Sequence, residues 1–337
     1  MRIAINGFGR IGRTTLKAGW GKPGFNVVAV NDLTDAPMLA HLLKYDTAYG
    51  RWDVPVKAGK DFLLIGGKKV LVFAEKEPAN LPWKKLGVDV VIESTGRFVT
   101  KELASGHIKA GAKGVVISAP AEGPGVPTYL IGVNADKLAR EKSRIINNAS
   151  CTTNCIAPVA KIVSEKLGVK KAMMSTIHAY TADQNLQDGP HKDLRRARAA
   201  GANIVPTTTG AAISTTELIH SLKNKFDGLA YRVPVLSGSI ADFTFVLKRK
   251  TTAKQVNNIF KKIAKSAQYR GVVEVTEEPI VSSDIIGTTA SCIVDLSLTR
   301  VVDGDLLKIV AWYDNEWAYS HRLADIVLQY GKAISKK

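Results

Sequence analysis

The chain runs to 337 residues, 45% hydrophobic and 23% charged, which is too long for one ordinary core and reads as two soluble globular domains. No apolar run reaches the roughly 18 residues of a membrane span, and Met1-Arg2-Ile3-Ala4-Ile5 enters a strand directly, so neither a spanning helix nor a secretory leader is expected. The net charge of +17 is spread evenly, with 22 basic and 13 acidic residues in 1–150 and 25 and 17 in 151–337, which argues against the basic arm of a dedicated nucleic-acid binder.

A diffuse positive field suits small anionic substrates and cofactors, and serves solubility equally well. Three cysteines, two of them four apart, make no disulfide framework, so a reducing cytoplasm is the expected compartment. No Cys/His cluster has zinc-site spacing, and no metal is expected.

Residues 2–6 read as a short apolar strand, followed by Gly7-Phe8-Gly9-Arg10-Ile11-Gly12 and a helical run to about Gly19. This is G-x-G-x-x-G between strand and helix. Gly7 permits the turn, Gly9 lets a pyrophosphate approach the backbone, and Gly12 allows close packing of helix on strand. The helix N-terminus then offers free N–H groups to the anion, with Arg10 adding charge. A second strand, 25–30, ends before Asn31-Asp32. Asp32 stands where a carboxylate can bind an adenosine ribose and repel a 2′-phosphate, so the spacing favours NAD over NADP.

Strand-like runs at 69–74, 88–93 and 114–118 alternate with a helical segment at 100–110. The alternation predicts an α/β, Rossmann-type doubly wound sheet over 1–149. Lys76, Ser94, Thr95 and Ser118 fall in loops at the carboxyl ends of its strands, where a cofactor crevice forms.

A strand-like run at 143–148 then leads into Ser150-Cys151-Thr152-Thr153-Asn154-Cys155 and a helix predicted over 156–167. A cysteine near a helix N-terminus sits in the positive end of the dipole, which lowers a thiol pKa. Cys155, one turn further on, reads as a buried structural thiol. Beyond it the strands alternate polar and apolar residues, at 171–180, 238–248, 289–297 and 305–313, which predicts an α+β catalytic domain with a mixed or antiparallel sheet over 150–314. A final amphipathic helix, within 315–337, is expected to pack back on the first domain.

Three features of this half carry chemistry. His178 ends a strand 27 residues after Cys151, where an imidazole can pair with a thiolate and move protons. A long polar loop, 182–208, holds the basic run His191–Arg198, suited to binding phosphate or to pairing with acids across a subunit interface. Thr207-Thr208-Thr209-Gly210 opens a helix as a further anion site, and Arg232 offers a guanidinium suited to phosphate.

From end to end the chain resembles the phosphorylating glyceraldehyde-3-phosphate dehydrogenase family. The resemblance rests on INGFGRIG at 5–12, ASCTTNC at 149–155, 176–180, HKDLRRARA at 191–199, TTTGAA at 207–212 and WYDNE at 312–316. It implies Cys151 as nucleophile and His178 as its base. It implies NAD contacts from Arg10, Ile11, Asp32, Lys76, Ser118 and Asn315. One anion site would use Ser150, Thr152, Thr209 and Gly210, and the other Thr181, Asp183 and Arg232, with Arg196 as a phosphate-side arginine.

The resemblance further implies a cytoplasmic homotetramer that converts glyceraldehyde 3-phosphate, inorganic phosphate and NAD to 1,3-bisphosphoglycerate in glycolysis and gluconeogenesis. No nucleic-acid or membrane partner is implied. An erythrose-4-phosphate dehydrogenase of the same fold is the alternative. Ile213, Ala182 and Val235-Leu236 depart from frequent family residues.

Overall fold

The computed structural model describes residues 1–335, and the chain divides into two compact units. The first takes in Met1–Ser150 and the segment from Ser320, and the second is Cys151–Tyr319.

The first unit begins with β1 (Arg2–Asn6), α1 (Arg10–Gly19), β2 (Asn26–Asn31) and α2 (Ala36–Lys44). Two small strands, β3 (Tyr45–Asp46) and β4 (Gly50–Arg51), pair with each other. Then follow β5 (Val56–Ala58), β6 (Phe62–Ile65), β7 (Lys68–Phe73), α3 (Trp83–Leu86), β8 (Val90–Glu93), α4 (Lys101–Lys109), β9 (Gly114–Ile117) and β10 (Ile145–Asn147). They form one sheet in the order β10-β9-β8-β1-β2-β7-β6-β5.

From β10 to β7 the pairing is parallel, the doubly wound arrangement the alternation predicts. Every residue of β8 and β9 is buried, as expected of strands covered on both faces. The edge departs from the expectation: β5 and β6 form an antiparallel hairpin that continues into β7. Gly59 and Gly66-Gly67 make turns too short for a helical crossover, so the pattern there is a meander.

The second unit opens with α5 (Cys151–Lys166). The helix therefore starts at Cys151 rather than Ile156, and the polar run Thr152-Thr153-Asn154 is helical and buried. Its strands are β11 (Val169–Ala179), β12 (Val205–Thr208), β13 (Phe226–Val233), β14 (Ser239–Leu247), β15 (Val273–Thr276), β16 (Cys292–Asp295), β17 (Arg300–Val302) and β18 (Leu306–Tyr313). The order β12-β13-β11-β14-β18-β16-β15 mixes parallel pairs (β11 with β13, β15 with β16) and antiparallel ones.

In β14, buried residues alternate with half-buried ones along the whole strand, so one face of the sheet meets the core. Helices α6 (Ala211–Leu218) and α7 (Ala253–Ala264) complete this unit, α7 started by a Thr252/Gln255 capping box. Helix α8 (Trp317–Ile334) is counted with the first unit from Ser320 onward. Ser320 Oγ lies 2.6 Å from Thr14 Oγ1, Lys22 pairs with Asp325 at 2.7 Å, and the Tyr330 hydroxyl donates to Ser143 O at 2.8 Å. The end of the expected segment, 336–337, lies outside the described residues.

Candidate active site

In the first unit, the carboxyl ends of β1, β2, β7 and β8 surround a cleft of about 300 Å³. It is lined by Gly7, Gly9, Asp32, Lys76, Ser94 and Thr95 among the residues predicted for it. Gly7 has φ +87°, and a Cβ there would press on the backbone of Ser94 at 2.7 Å, so only glycine fits. A Cβ on Gly12 would strike the carbonyl of Gly7, the close helix–strand approach the motif requires. Gly9, the N-cap of α1, has nothing within 4 Å of where a Cβ would be. Its backbone is open to the cleft.

Asp32 is held by the N–H of Phe8 at 2.7 Å on Oδ2 and that of Thr34 at 3.1 Å on Oδ1. Exposed Leu33 beside it brings no cation to welcome a 2′-phosphate. These features fit an adenine dinucleotide: a glycine cradle for the pyrophosphate and a fixed carboxylate for a ribose. Arg10, Ile11, Gly12 and Ser118 do not line the cleft. Arg10 instead pairs with Asp46 at 2.7 Å and lies over the Tyr49 ring, so its charge is already engaged. Asn6, Asn31, Glu75, Arg97 and Phe98 line the cleft without having been singled out as contacts. Their places at or beyond the carboxyl ends of strands were the available signal.

In the second unit, β11 carries His178 to the first residue of α5. His178 Nε2 stands 3.5 Å from Cys151 Sγ. His178 Nδ1 lies 2.6 Å from Ala179 O, which can only accept, and 3.0 Å from Arg232 Nη1, which can only donate, so these neighbours make opposite demands on it; with the proton on Nδ1, Nε2 faces the sulfur with its lone pair. That is the tautomer of a base. Below the pair, the buried Tyr313 hydroxyl bridges Thr152 Oγ1 (3.0 Å) and Thr176 Oγ1 (2.7 Å), and its ring stands edge-on to the imidazole at 5.9 Å. Tyr313 was not predicted as a site residue. Its place in the WYDNE run was the only hint.

Electrostatics differs from the sequence expectation. Burial pushes the Cys151 thiol up, against the pull of Arg232 and the Thr152 hydrogen bonds. A helix terminus contributes roughly 0.3–1 kcal/mol, less than one pKa unit, so burial prevails over it. Burial, helped by the Arg232 charge, lowers His178 to about 3. The resting pair is therefore a neutral thiol beside a neutral imidazole, not the thiolate–imidazolium pair the spacing suggested. A buried ion pair next to a third charge would cost more than its mutual attraction returns.

Arg232 connects this pair to an anion-binding cluster. Its Nη1 lies 3.0 Å from His178 Nδ1 and donates to Ala179 O (3.1 Å) and Thr181 Oγ1 (2.9 Å). Thr181 donates to Asp183, Asp183 pairs with Arg196, and Arg196 Nε donates to Thr207 Oγ1 at 2.9 Å. The structure thus brings Thr181, Asp183, Arg196 and Arg232 together. Arg232 Nε is buried without a hydrogen-bond partner. Thr152 is less available than expected, because its hydroxyl is committed to Tyr313. Thr209 and Gly210 stand at the N-terminus of α6, where Thr209 Oγ1 accepts from Ala211 N at 3.2 Å. Asn315 is buried, its Oδ1 accepting from Ser239 Oγ (2.9 Å) and Gly238 N (3.2 Å).

Ala149 precedes Ser150 with φ 51°, a left-handed conformation that non-glycine residues seldom adopt. The long loop runs without regular structure to Ile204, where β12 takes over its predicted end. Two of its arginines pair within the loop region itself, Arg196 with Asp183 and Arg198 with Asp188 (2.8 Å), rather than standing free.

The family model of the glyceraldehyde 3-phosphate dehydrogenase NAD binding domain matches residues 1–101, and that of the C-terminal domain matches residues 150–315. The chain is 50% identical over 335 residues to a glyceraldehyde-3-phosphate dehydrogenase of Streptomyces coelicolor, covering 99% of each. It is 48% identical over 326 residues to that of Geobacillus stearothermophilus, covering 97% of each. It is 50% identical over 341 residues to that of Mycobacterium bovis, again covering 99% of each. With both domain models matched in order and full-length relatives at half identity, the chain belongs to the glyceraldehyde-3-phosphate dehydrogenase family.

Proposed function

We propose that the chain carries out NAD-dependent oxidative phosphorylation of D-glyceraldehyde 3-phosphate to 1,3-bisphosphoglycerate. The observation that carries this reading is the position of one imidazole. His178 faces the Cys151 sulfur at 3.5 Å and lies 3.0 Å from Arg232, so the nucleophile and an anion cluster share a single side chain.

Cys151 Sγ adds to the aldehyde carbon as its proton passes to His178 Nε2. The imidazolium then donates to the developing alkoxide, and backbone N–H groups at the start of α5 add further donors. Bound NAD would supply the hydride acceptor, so that collapse of the hemithioacetal leaves a thioester on Cys151. Inorganic phosphate attacks that thioester, the C–S bond breaks, and the acyl phosphate leaves as the sulfur regains its proton. Arg232, Thr181, Asp183 and Arg196 would hold one phosphate, and Ser150, Thr152, Thr209 and Gly210 the other. The orphaned Arg232 Nε supports an anion in the first group. Asn315 would hold the nicotinamide amide, and Gly7, Gly9, Asp32, Lys76, Ser94 and Thr95 the rest of the dinucleotide, with Arg10, Ile11, Gly12 and Ser118 supporting it.

A phosphorylating enzyme needs phosphate to turn over, whereas a hydrolysing one does not. Steady-state NADH formation from glyceraldehyde 3-phosphate should require added phosphate or arsenate. Full turnover without either would overturn the reading. The erythrose-4-phosphate alternative is not favoured, since the full-length relatives carry the glyceraldehyde-3-phosphate name. Asp32→Ala should narrow the NAD over NADP preference about tenfold or more, the loss of one charged hydrogen-bond site. An unchanged ratio of kcat/KM values would remove Asp32 from the ribose.

A homotetramer is the proposed assembly. Its support is the apolar surface of the long loop and its end, where Leu186 is 85%, Leu194 82% and Ile204 69% exposed. A sedimentation mass of one chain at micromolar concentration would exclude it. Among the described residues no helix is long and apolar enough to cross a membrane, and all three cysteines are free. The free thiols support a cytoplasmic location.

A further inference from the structure

Beneath the dinucleotide cleft lies a buried carboxylate with a full set of donors and no cation. Glu93, 1% exposed at the end of β8, accepts from Asn6 Nδ2 (2.6 Å), Thr95 N (2.8 Å), Thr95 Oγ1 (2.5 Å) and His107 Nε2 (2.9 Å). The His107 bond has a definite direction. Trp83 Nε1 can only donate, and it is 3.0 Å from His107 Nδ1, so Nδ1 accepts and the ring's N–H sits on Nε2, aimed at Glu93. The chain of side chains continues away from the carboxylate. Asn6 Oδ1 accepts from Asn31 Nδ2 at 2.7 Å, Asn31 Nδ2 also donates to Glu75 O at 2.8 Å, and Asn31 Oδ1 accepts from Glu75 N at 2.9 Å.

These bonds link the ends of four adjacent strands, β8, β1, β2 and β7, at the level where the cleft opens. Asn6, Asn31, Glu75 and Thr95 line the cleft, and Glu93 and His107 do not. A lone buried carboxylate is costly unless its lone pairs are filled, so the geometry of its donors is tightly fixed.

We infer that Glu93 is a positioning residue for the dinucleotide: through Thr95 and the Asn6–Asn31 relay it sets the cleft walls that receive the cofactor. The inference rests on the NAD reading of the cleft. In Glu93→Gln, an amide N–H replaces one acceptor and faces a donor, either Thr95 or the Asn6/His107 pair. One wall of the cleft then loses its anchor.

The test is NAD affinity by calorimetry on the full chain. Glu93→Gln should raise the NAD Kd roughly tenfold to a hundredfold, the range for a hydrogen bond to a buried charge. It should raise KM for NAD more than it lowers kcat. The rate of Cys151 alkylation by iodoacetamide, measured without NAD, should stay within about twofold of the parent. Thr95→Val, which removes the hydroxyl donor, completes a cycle with Glu93→Gln. If Glu93 acts through Thr95, the double variant falls well short of the product of the two single effects.

A lowered Tm with unchanged NAD Kd would make Glu93 merely structural and overturn the inference, as would multiplicative effects in the cycle. Should Glu93→Gln fail to fold, Glu93→Asp keeps the charge but shortens its reach, and carries the same cycle. A parent chain that binds no NAD would instead fail the cofactor reading, which separates the two outcomes.

Discussion

Cys151→Ser is expected to abolish NADH formation from glyceraldehyde 3-phosphate, a loss on the order of 10³-fold or more, while NAD affinity is kept. A serine hydroxyl at the same position meets the same imidazole, but it is a far weaker nucleophile at neutral pH than a thiol. It also cannot form the thioester that phosphate attacks. The substitution leaves the glycine cradle and Asp32 of the first unit unchanged, so calorimetry with NAD should report the parent Kd. Intact mass after incubation with aldehyde and NAD adds a direct readout. The parent enzyme starved of phosphate should gain one acyl group, and the variant none. Retained turnover would remove Cys151 from the chemistry, and an acyl adduct elsewhere would name its replacement.

His178→Asn is the second large effect, expected to slow the chemical step roughly 10² to 10⁴-fold, the usual worth of a positioned general base. Asparagine preserves size and polarity but cannot take the Cys151 proton. With the resting thiol neutral and raised, and no second imidazole or carboxylate hydrogen-bonded to its sulfur among the described residues, the variant's rate should climb with pH as hydroxide does the work. A variant retaining the parent's rate and pH profile would exclude the base role.

The same substitution has a signature in stability. The folded His178 is lowered to about 3, against an ordinary unfolded value near 6.5. Between those values the unfolded chain binds a proton that the folded chain refuses. Stability is thus complete above about pH 6.5 and falls as pH drops towards 3, by on the order of 4 kcal/mol for this group. In denaturant titrations His178→Asn should flatten that acid limb. An equally steep limb in the variant would place the proton uptake elsewhere, with His321, lowered by burial to about 4, as the next candidate.

The parts of this site that were legible in the sequence are the local ones. Gly7 and Gly12 follow from backbone sterics within a six-residue motif, and the structure shows both clashes that a side chain would cause there. Asp32 follows from its distance beyond the glycines. His178 could be paired with Cys151 because both lie at element ends, a reading that the 3.5 Å contact upholds as geometry. The charge state did not follow. Spacing reports that a helix terminus is near, whereas burial depends on everything packed around the sulfur, and burial is the larger effect.

Long-range partners were equally hidden. Tyr313 meets Thr152 across 161 residues of sequence, and Glu93 meets Asn6 across 87. Nothing in either local pattern announces the other. The β5–β6 hairpin escaped for a different reason: its strands are short, and β5 is exposed along most of its length, so the hydrophobic period is weak. Arg10 shows the reverse case, a charge in the motif whose side chain pairs with Asp46, a contact the motif does not encode.

The left-handed Ala149 bears on how rigidly the nucleophile is presented. Glycine would accept φ 51° freely, while alanine carries a steric cost of roughly 1–2 kcal/mol there. Its methyl group, fully buried, returns part of that cost through packing, and its Asn147 Oδ1 contact at 2.9 Å holds the backbone N–H. The result is a held, strained residue two positions before Cys151. Alanine's lower-energy backbone conformations stay closed to it only while that burial and that hydrogen bond hold, so the strain is kept in place by its surroundings and not by the residue itself.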